Sequence, residues 1–205
     1  MKKILFISAM LVMSGCSTIP NILSATKSDQ VVKPNATHAV QPNPTQEVNL
    51  TPEETYQSAL YFYNRDFFIQ ASQDFLQAAE QNHAKSQFRL AKMYYDAKGV
   101  KNHSSEAAKW CQKAAEQGYT EAQYFLGALY FVGSGGVTQS FSKAKQWYQK
   151  AAKQGYSDAQ LSLAMIHYNG KGQKQNLAKA KEWLLLSAAQ GNEDAVLMLT
   201  KPELK

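Results

Sequence analysis

Two cysteines, four histidines and a few Ser-x-x-Lys strings are the residues of this 205-residue chain whose types could do chemistry. Cys16 is the most specifically placed. Lys2 and Lys3 make a positive start, and Ile4 to Met13 is an apolar stretch broken only by Ser8 and Ala9. Met13-Ser14-Gly15-Cys16 then closes the segment. This is the build of a secretory leader, too short to remain as a membrane-spanning helix. The strings Ser24-Ala25-Thr26-Lys27 and Ser140-Phe141-Ser142-Lys143 match the nucleophile and base spacing of serine acyl-transfer enzymes, but no Ser-Asp-Asn or Lys-Thr-Gly partner follows either. The first lies in a polar stretch that holds no side chain in place; the second straddles the start of a helix. His38, His83, His103 and His167 are scattered, without His-x-x-x-His spacing or a cysteine pair, so no metal site is expected and no cofactor is implied. Cys111 falls on the core face of a helix and reads as a small buried hydrophobe rather than a reactive thiol. With one other cysteine in the chain, no disulfide is expected.

The elements that would position such groups are repetitive. Residues 16–50 are rich in Asn, Gln, Ser and Thr, and Pro34, Pro42 and Pro44 interrupt any helix, so the segment reads as a tether. About 34 residues of that composition reach roughly 30–35 Å. Beyond it, Gln117-Gly118, Gln154-Gly155 and Gln190-Gly191 recur at intervals of 37 and 36 residues, as do Trp110, Trp147 and Trp183. Gln87-Phe88-Arg89-Leu90-Ala91, Gln123-Tyr124-Phe125-Leu126-Gly127 and Gln160-Leu161-Ser162-Leu163-Ala164 share the same phase, and Gly99, Gly135 and Gly172 mark a loop in each unit. Ala122, Leu126, Leu129 and Tyr130 have the spacing of a first helix. Ser140 and Asn176 stand where N-caps belong. Ala144, Tyr148 and Ala151 line one face of a second helix, which Gly155 ends. Neither helix buries its stripe alone, so units must stack. The expected organisation is a leader over 1–15, the tether over 16–50, a degenerate unit over 51–83, full units over 84–119, 120–156 and 157–192, and a cap over 193–205. In the degenerate unit Ala71, Phe75 and Ala78 keep the spacing and Asn82 replaces the turn glycine. In the cap, Pro202 stops a fourth first helix.

Two resemblances follow from these residues. Ser14-Gly15-Cys16 resembles a bacterial lipobox, with Met13 in place of the usual Leu. That resemblance implies acylation of Cys16 through a thioether, cleavage just before it, and outer-membrane sorting by Ser17. The 36- and 37-residue pattern resembles Sel-like repeats, relatives of the tetratricopeptide repeat with a longer glycine-bearing loop. It implies an all-α, right-handed α/α superhelical solenoid that serves as an adaptor for other proteins. Extracytoplasmic relatives often carry cysteine pairs, which this chain lacks. Some members have been described as β-lactamases or penicillin binders, so a hydrolase of β-lactams or peptidoglycan is one alternative and a host-facing effector another.

Composition narrows the partners. Hydrophobic residues at 44% and charged ones at 19% are globular proportions. The net charge of +6 includes the two leader lysines and contains no basic run, so nucleic acid is not an expected partner. By analogy with tetratricopeptide superhelices, first helices line the concave side. That makes Lys85, Phe88, Lys92 and Tyr95, then Tyr124 and Phe131, then Leu161 and Tyr168 a candidate protein-binding groove. The expected function is a membrane-anchored envelope scaffold, facing the periplasm from the outer membrane and binding envelope proteins.

Overall fold

The computed structural model describes residues 50–101 and 103–204; Cys16 and Ser17 lie outside them. The described residues form nine α-helices and no strand: α1 (Pro52–Tyr63), α2 (Phe68–Glu80), α3 (Ala84–Asp96), α4 (Ser104–Glu116), α5 (Thr120–Val132), α6 (Phe141–Lys153), α7 (Ser157–Asn169), α8 (Leu177–Ala188) and α9 (Glu193–Leu199), followed by a 3₁₀ turn at Pro202–Leu204. Each helix packs chiefly against its neighbours in the chain, as expected of stacked helical hairpins. The all-α repeat fold expected from the sequence is the fold observed.

Local chemistry sets the boundaries. Thr51 and Glu54 form a reciprocal capping box at α1. Ser140 and Asn176 accept from the backbone of Lys143 and Lys179, as their spacing implied. Each second helix ends where a residue turns left-handed: Asn82 at φ 65°, then Gly118, Gly155 and Gly191. The backbone N–H that follows returns to the helix, from Tyr119 to the Ala114 carbonyl and from Tyr156 to that of Ala151, both at 3.1 Å. First helices close the same way at Gly133 and Gly170, but α3 closes on Ala97, whose φ of 54° places a Cβ in the left-handed region.

The core follows the spacing. Phe75, Cys111, Tyr148 and Leu184 occupy one position of successive second helices and are all buried, flanked by Ala71, Ala78, Ala114, Ala144, Ala151 and Ala180. Small residues let the helices approach closely: a Cβ added to Gly127 would stand 2.7 Å from the Tyr148 ring. The recurring tryptophans sit one residue earlier, at the edge of this layer. Trp110 is buried, whereas Trp147 is only half-buried, with the Lys150 ammonium 3.8 Å above its ring.

A chain of glutamines ties the units together. Gln87 Nε2 donates to the Ala79 carbonyl at 3.0 Å, Gln123 Nε2 to that of Ala115 at 3.1 Å, and Gln160 Nε2 to that of Ala152 at 3.3 Å. Each acceptor belongs to the last turn of the preceding unit's second helix, where carbonyls lack helical partners. The side-chain oxygens then accept from Gln117, Gln154 and Gln190 at 2.7, 2.8 and 2.8 Å. Residues 30 or 31 positions apart are joined once per repeat, and Gln87, Gln123 and Gln160 are buried.

His167 fills the place of Tyr94 and Tyr130 in the other units. It is buried, and Gln173 Nε2 lies 2.6 Å from its Nδ1. Burial holds its pKa below the ordinary 6.5. Lys145 and Lys179 push the same way and Glu182 opposes them.

Three stability predictions come from these contacts. Gln123→Ala removes its bonds to the Ala115 carbonyl and from the Gln154 amide, which keep the Gly118 N–H and the Gly118 carbonyl as partners, so two hydrogen bonds of about 0.5–1.5 kcal/mol each should be lost, read as an earlier midpoint in chemical denaturation. Ala97→Gly relieves a left-handed Cβ and should gain about 1 kcal/mol, read as a higher melting temperature. Because His167 favours its neutral form when folded, its contribution is present above pH 6.5 and is lost as the pH falls through the lowered native value. Melting temperature should therefore drop more steeply with acid in the parent than in His167→Tyr; parallel curves would remove His167 from the acid response.

Candidate functional site: a trough along the first helices

The first helices of successive units lie side by side, so the expected binding stripe is one continuous surface. Its two halves differ. Between α3 and α5 the stripe is filled by rings. Phe88 and Tyr95 pack against Phe125 with ring centres 5.9 and 5.3 Å apart, and the Lys92 ammonium lies 5.4 Å above the same ring. Phe88 also stacks on Tyr119 at 5.4 Å, which draws it into the core. Lys85 is exposed, 5.9 Å above the Tyr56 ring. Tyr124 is held between Tyr148 and Tyr156, at 5.6 and 5.0 Å, and gives much of its surface to packing. Phe125, which organises this half, stands outside the expected stripe.

The second half is open. A cavity of about 290 Å³ lies between α5 and α7, lined by Phe131, Tyr148, Leu161, Ser162, Met165 and Asn169. A second, of about 280 Å³, lies between α7 and α9, lined by Leu161, Met165, Asp194, Leu197 and Met198. Leu161 and Met165 are the wall common to both, so the cavities form one apolar trough across three first helices. Phe131 flanks its upper end, with its ring 5.3 Å from Phe141. Tyr168 lies outside both linings, packed on the last core cluster: its hydroxyl donates to the Glu203 carboxylate, and Lys201 covers its ring at 4.7 Å. Leu197 is 67% exposed on the rim. Of the expected stripe, the structure brings Phe131 and Leu161 to the trough, keeps Phe88, Lys92, Tyr95 and Tyr124 in ring-filled surface, and packs Tyr168 on the last core cluster. The α9 residues Leu197 and Met198 were missed because that helix was read as a cap. Their i, i+1 placement on an incomplete unit was the available signal.

The trough's chemistry is apolar contact. Each cavity is at or below the lower end of small-molecule pockets, and the pair suits two anchor side chains of a peptide better than one compact ligand. The other chemistry-bearing residues have structural partners. Ser140 Oγ accepts from the Lys143 N–H at 3.4 Å as a helix cap, and the Lys143 ammonium rests 5.0 Å above the Tyr130 ring, so this Ser-x-x-Lys string is a helix start. Cys111 is fully buried, its Sγ is 3.4 Å from the Ala122 carbonyl, and desolvation pushes its thiol up to about 12. Among the described residues, no group of histidines, cysteines and carboxylates is arranged to hold a metal ion, and no helix is long and apolar enough to cross a membrane.

Comparison with known proteins agrees with this architecture. A family model described as Sel1 repeat matches residues 84–119, 120–156 and 157–192, just over half of the chain. No curated protein matches it. Among solved structures, a Sel1 repeat protein from Oxalobacter formigenes is 30% identical, with a TM-score of 0.66, over 73% of this chain and 61% of that one. The chain thus spans less than two thirds of that relative's length. Helicobacter pylori cysteine rich protein B is 27% identical over 62% of this chain and 96% of its own, with a TM-score of 0.48. MamA is 18% identical over 71% of this chain and 81% of its own, with a TM-score of 0.50, a likeness of fold. With three tandem matches laid over three helical hairpins, the chain belongs to the Sel1 repeat family, whose members serve as protein–protein interaction scaffolds.

Proposed function

We propose that this chain is a lipid-anchored adaptor of the bacterial cell envelope, held by acyl groups on Cys16, sorted to the outer membrane with Ser17 in the following position, and presenting its trough to a periplasmic partner protein. The trough carries the binding half of this reading. Among the described residues, apolar cavities stay unfilled there on the first-helix face, and Leu161, Met165 and Leu197 offer apolar walls without a competing charge other than Asp194. The partner's chemistry follows: a helix or extended segment bearing two apolar anchors about one helical turn apart, inserted on either side of Leu161 and Met165. The anchoring half is supported by the leader-like segment that ends at Cys16. Several acyl chains would give stable attachment where a single chain is marginal.

One experiment reads both halves. A photo-crosslinking residue placed at Met165 or Leu197 of the palmitate-labelled chain in intact envelopes should give discrete protein adducts, and the same probe at Gln112, exposed on a second helix, should give none. Leu197→Asp should abolish the Met165 adduct while helical circular dichroism is kept. Cys16→Ser should remove the palmitate. Adducts that form equally from Gln112 would end the trough reading, and palmitate retained by Cys16→Ser would end the anchor.

A further inference from the structure

The solenoid has two long edges of opposite charge. One carries the loops that join first to second helices within each unit; the other carries the turns between units. On the loop edge lie Arg65, Lys98, Lys101, Lys143, Lys171 and Lys174, all exposed, against Asp66, Asp96 and Glu106, the last paired with Lys109. On the turn edge lie Glu53, Glu54, Glu80, Glu116, Glu121 and Asp158, continued at the start of α9 by Glu193 and Asp194, against four lysines. Both edges are continuous from unit to unit. The backbone at Gly99 meets Phe68, and Gly172 meets Phe141, along the loops, while Thr120 bonds Gln154 and Asn192 bonds Asp158 along the turns.

The loop edge is also the apolar one. Phe67 is 60%, Ile69 69% and Val132 65% exposed there, and Tyr61 and Tyr95 project from the same ends of α1 and α3. A shallow hollow of about 620 Å³ opens beside them, lined by Phe67, Phe68, Ile69 and Gly99. Cations and rings alternate along the edge. Arg65 lies 3.7 Å above Tyr61, Lys98 is 5.3 Å from Phe68, Lys143 is 5.0 Å from Tyr130 and Lys171 is 5.8 Å from Phe141. None of these basic side chains forms an ion pair among the described residues. Their charged groups lie over aromatic rings, so cations and apolar surface share one edge, the mixed composition with which amphipathic surfaces enter a lipid interface.

We infer that the loop edge docks the solenoid onto an anionic lipid surface, its rings and Phe67, Ile69 and Val132 entering the headgroup region while its lysines meet the phosphates. This rests on the acyl anchor proposed above, which supplies proximity so that a weak surface affinity suffices. The geometry permits it. The chain enters α1 at the turn edge, so laying the loop edge on the membrane requires slack of about 18 Å, the length of α1. A tether of that composition reaches roughly 30–35 Å. The acidic turn edge is repelled by the same surface, which fixes the orientation and leaves the trough facing sideways, open to a partner.

The test uses the full acylated chain on vesicles of phosphatidylcholine alone or mixed with phosphatidylglycerol, each carrying a headgroup-level spin-labelled lipid. Phe67→Trp should add fluorescence that is quenched in the phosphatidylglycerol vesicles and recovers as salt is raised. Val196→Trp, on α9, should stay unquenched. Changing Lys98, Lys101, Lys171 and Lys174 together to Glu should abolish the quenching with helical circular dichroism unchanged, since all four are exposed. Quenching that is absent from both vesicle types, equal in both, or retained by the charge-reversed chain overturns the inference. The mass of the mature N-terminus reports acylation separately. A chain without acyl groups would end the anchor reading, while the response of Phe67→Trp to added vesicles would still decide the docking edge.

Discussion

The interaction on which this structure depends is a hydrogen bond repeated at three unit boundaries: a buried glutamine amide on a first helix, donated to a carbonyl in the last turn of the preceding second helix that otherwise accepts only from the turn backbone. A stack of hairpins held by apolar contact alone can slide, because hydrophobic burial has no direction. A buried amide has direction. It is satisfied at one register and leaves a desolvated donor at any other, and that penalty is larger than the net gain of the bond itself. The second glutamine, at the end of each second helix, occupies the side-chain oxygen of the first and so consumes the remaining acceptor. Each of these boundaries is therefore keyed twice. The sequence pays for this with two glutamines per repeat, one of them in the core.

Around that key the packing is adjustable. Phe75, Cys111, Tyr148 and Leu184 differ widely in volume at one buried position, and the stack absorbs the differences in facing residues rather than in backbone. The largest ring, Tyr148, meets the smallest residue, Gly127, where one added methyl would come within 2.7 Å. A close-packed interior requires such complementarity. It also explains why a thiol is tolerated at Cys111: the position asks for volume and a dry surrounding, and sulfur supplies both.

Much of the fold was legible because its signals are local. Gln-Gly turns, Ser140 and Asn176 caps, and alanine at spacings of three and four each act within one or two helical turns, and each took the role its position implied. Asn82 was readable as a glycine substitute because asparagine tolerates the left-handed region. The binding surface was less legible, since it depends on which side chains fill the space between units. Phe88 and Tyr124 carry the composition of an exposed anchor, but rings from neighbouring repeats, Phe125 and Tyr156, take up their faces. The tryptophans recur as regularly as the turns yet stand at the edge of the core, whose centre belongs to the more variable position one residue later.

The trough itself arises from a departure from the repeat. Arg89, Phe125 and Ser162 hold the same position in successive first helices. In the middle unit a phenylalanine there packs against Phe88 and Tyr95 and closes the space between α3 and α5. In the next unit a serine stands in its place, and the residue before it is leucine rather than an aromatic. The volume that a ring would occupy between α5 and α7 is left empty, and Ser162 lines it. A solvent-open hollow with apolar walls forgoes the close packing contacts that a ring would supply. The same void continues past Met165 to α9, where no second helix covers Leu197. Stability is thus concentrated in the keyed boundaries, and the repeat is loosened along one face where a partner's side chains can supply the missing volume.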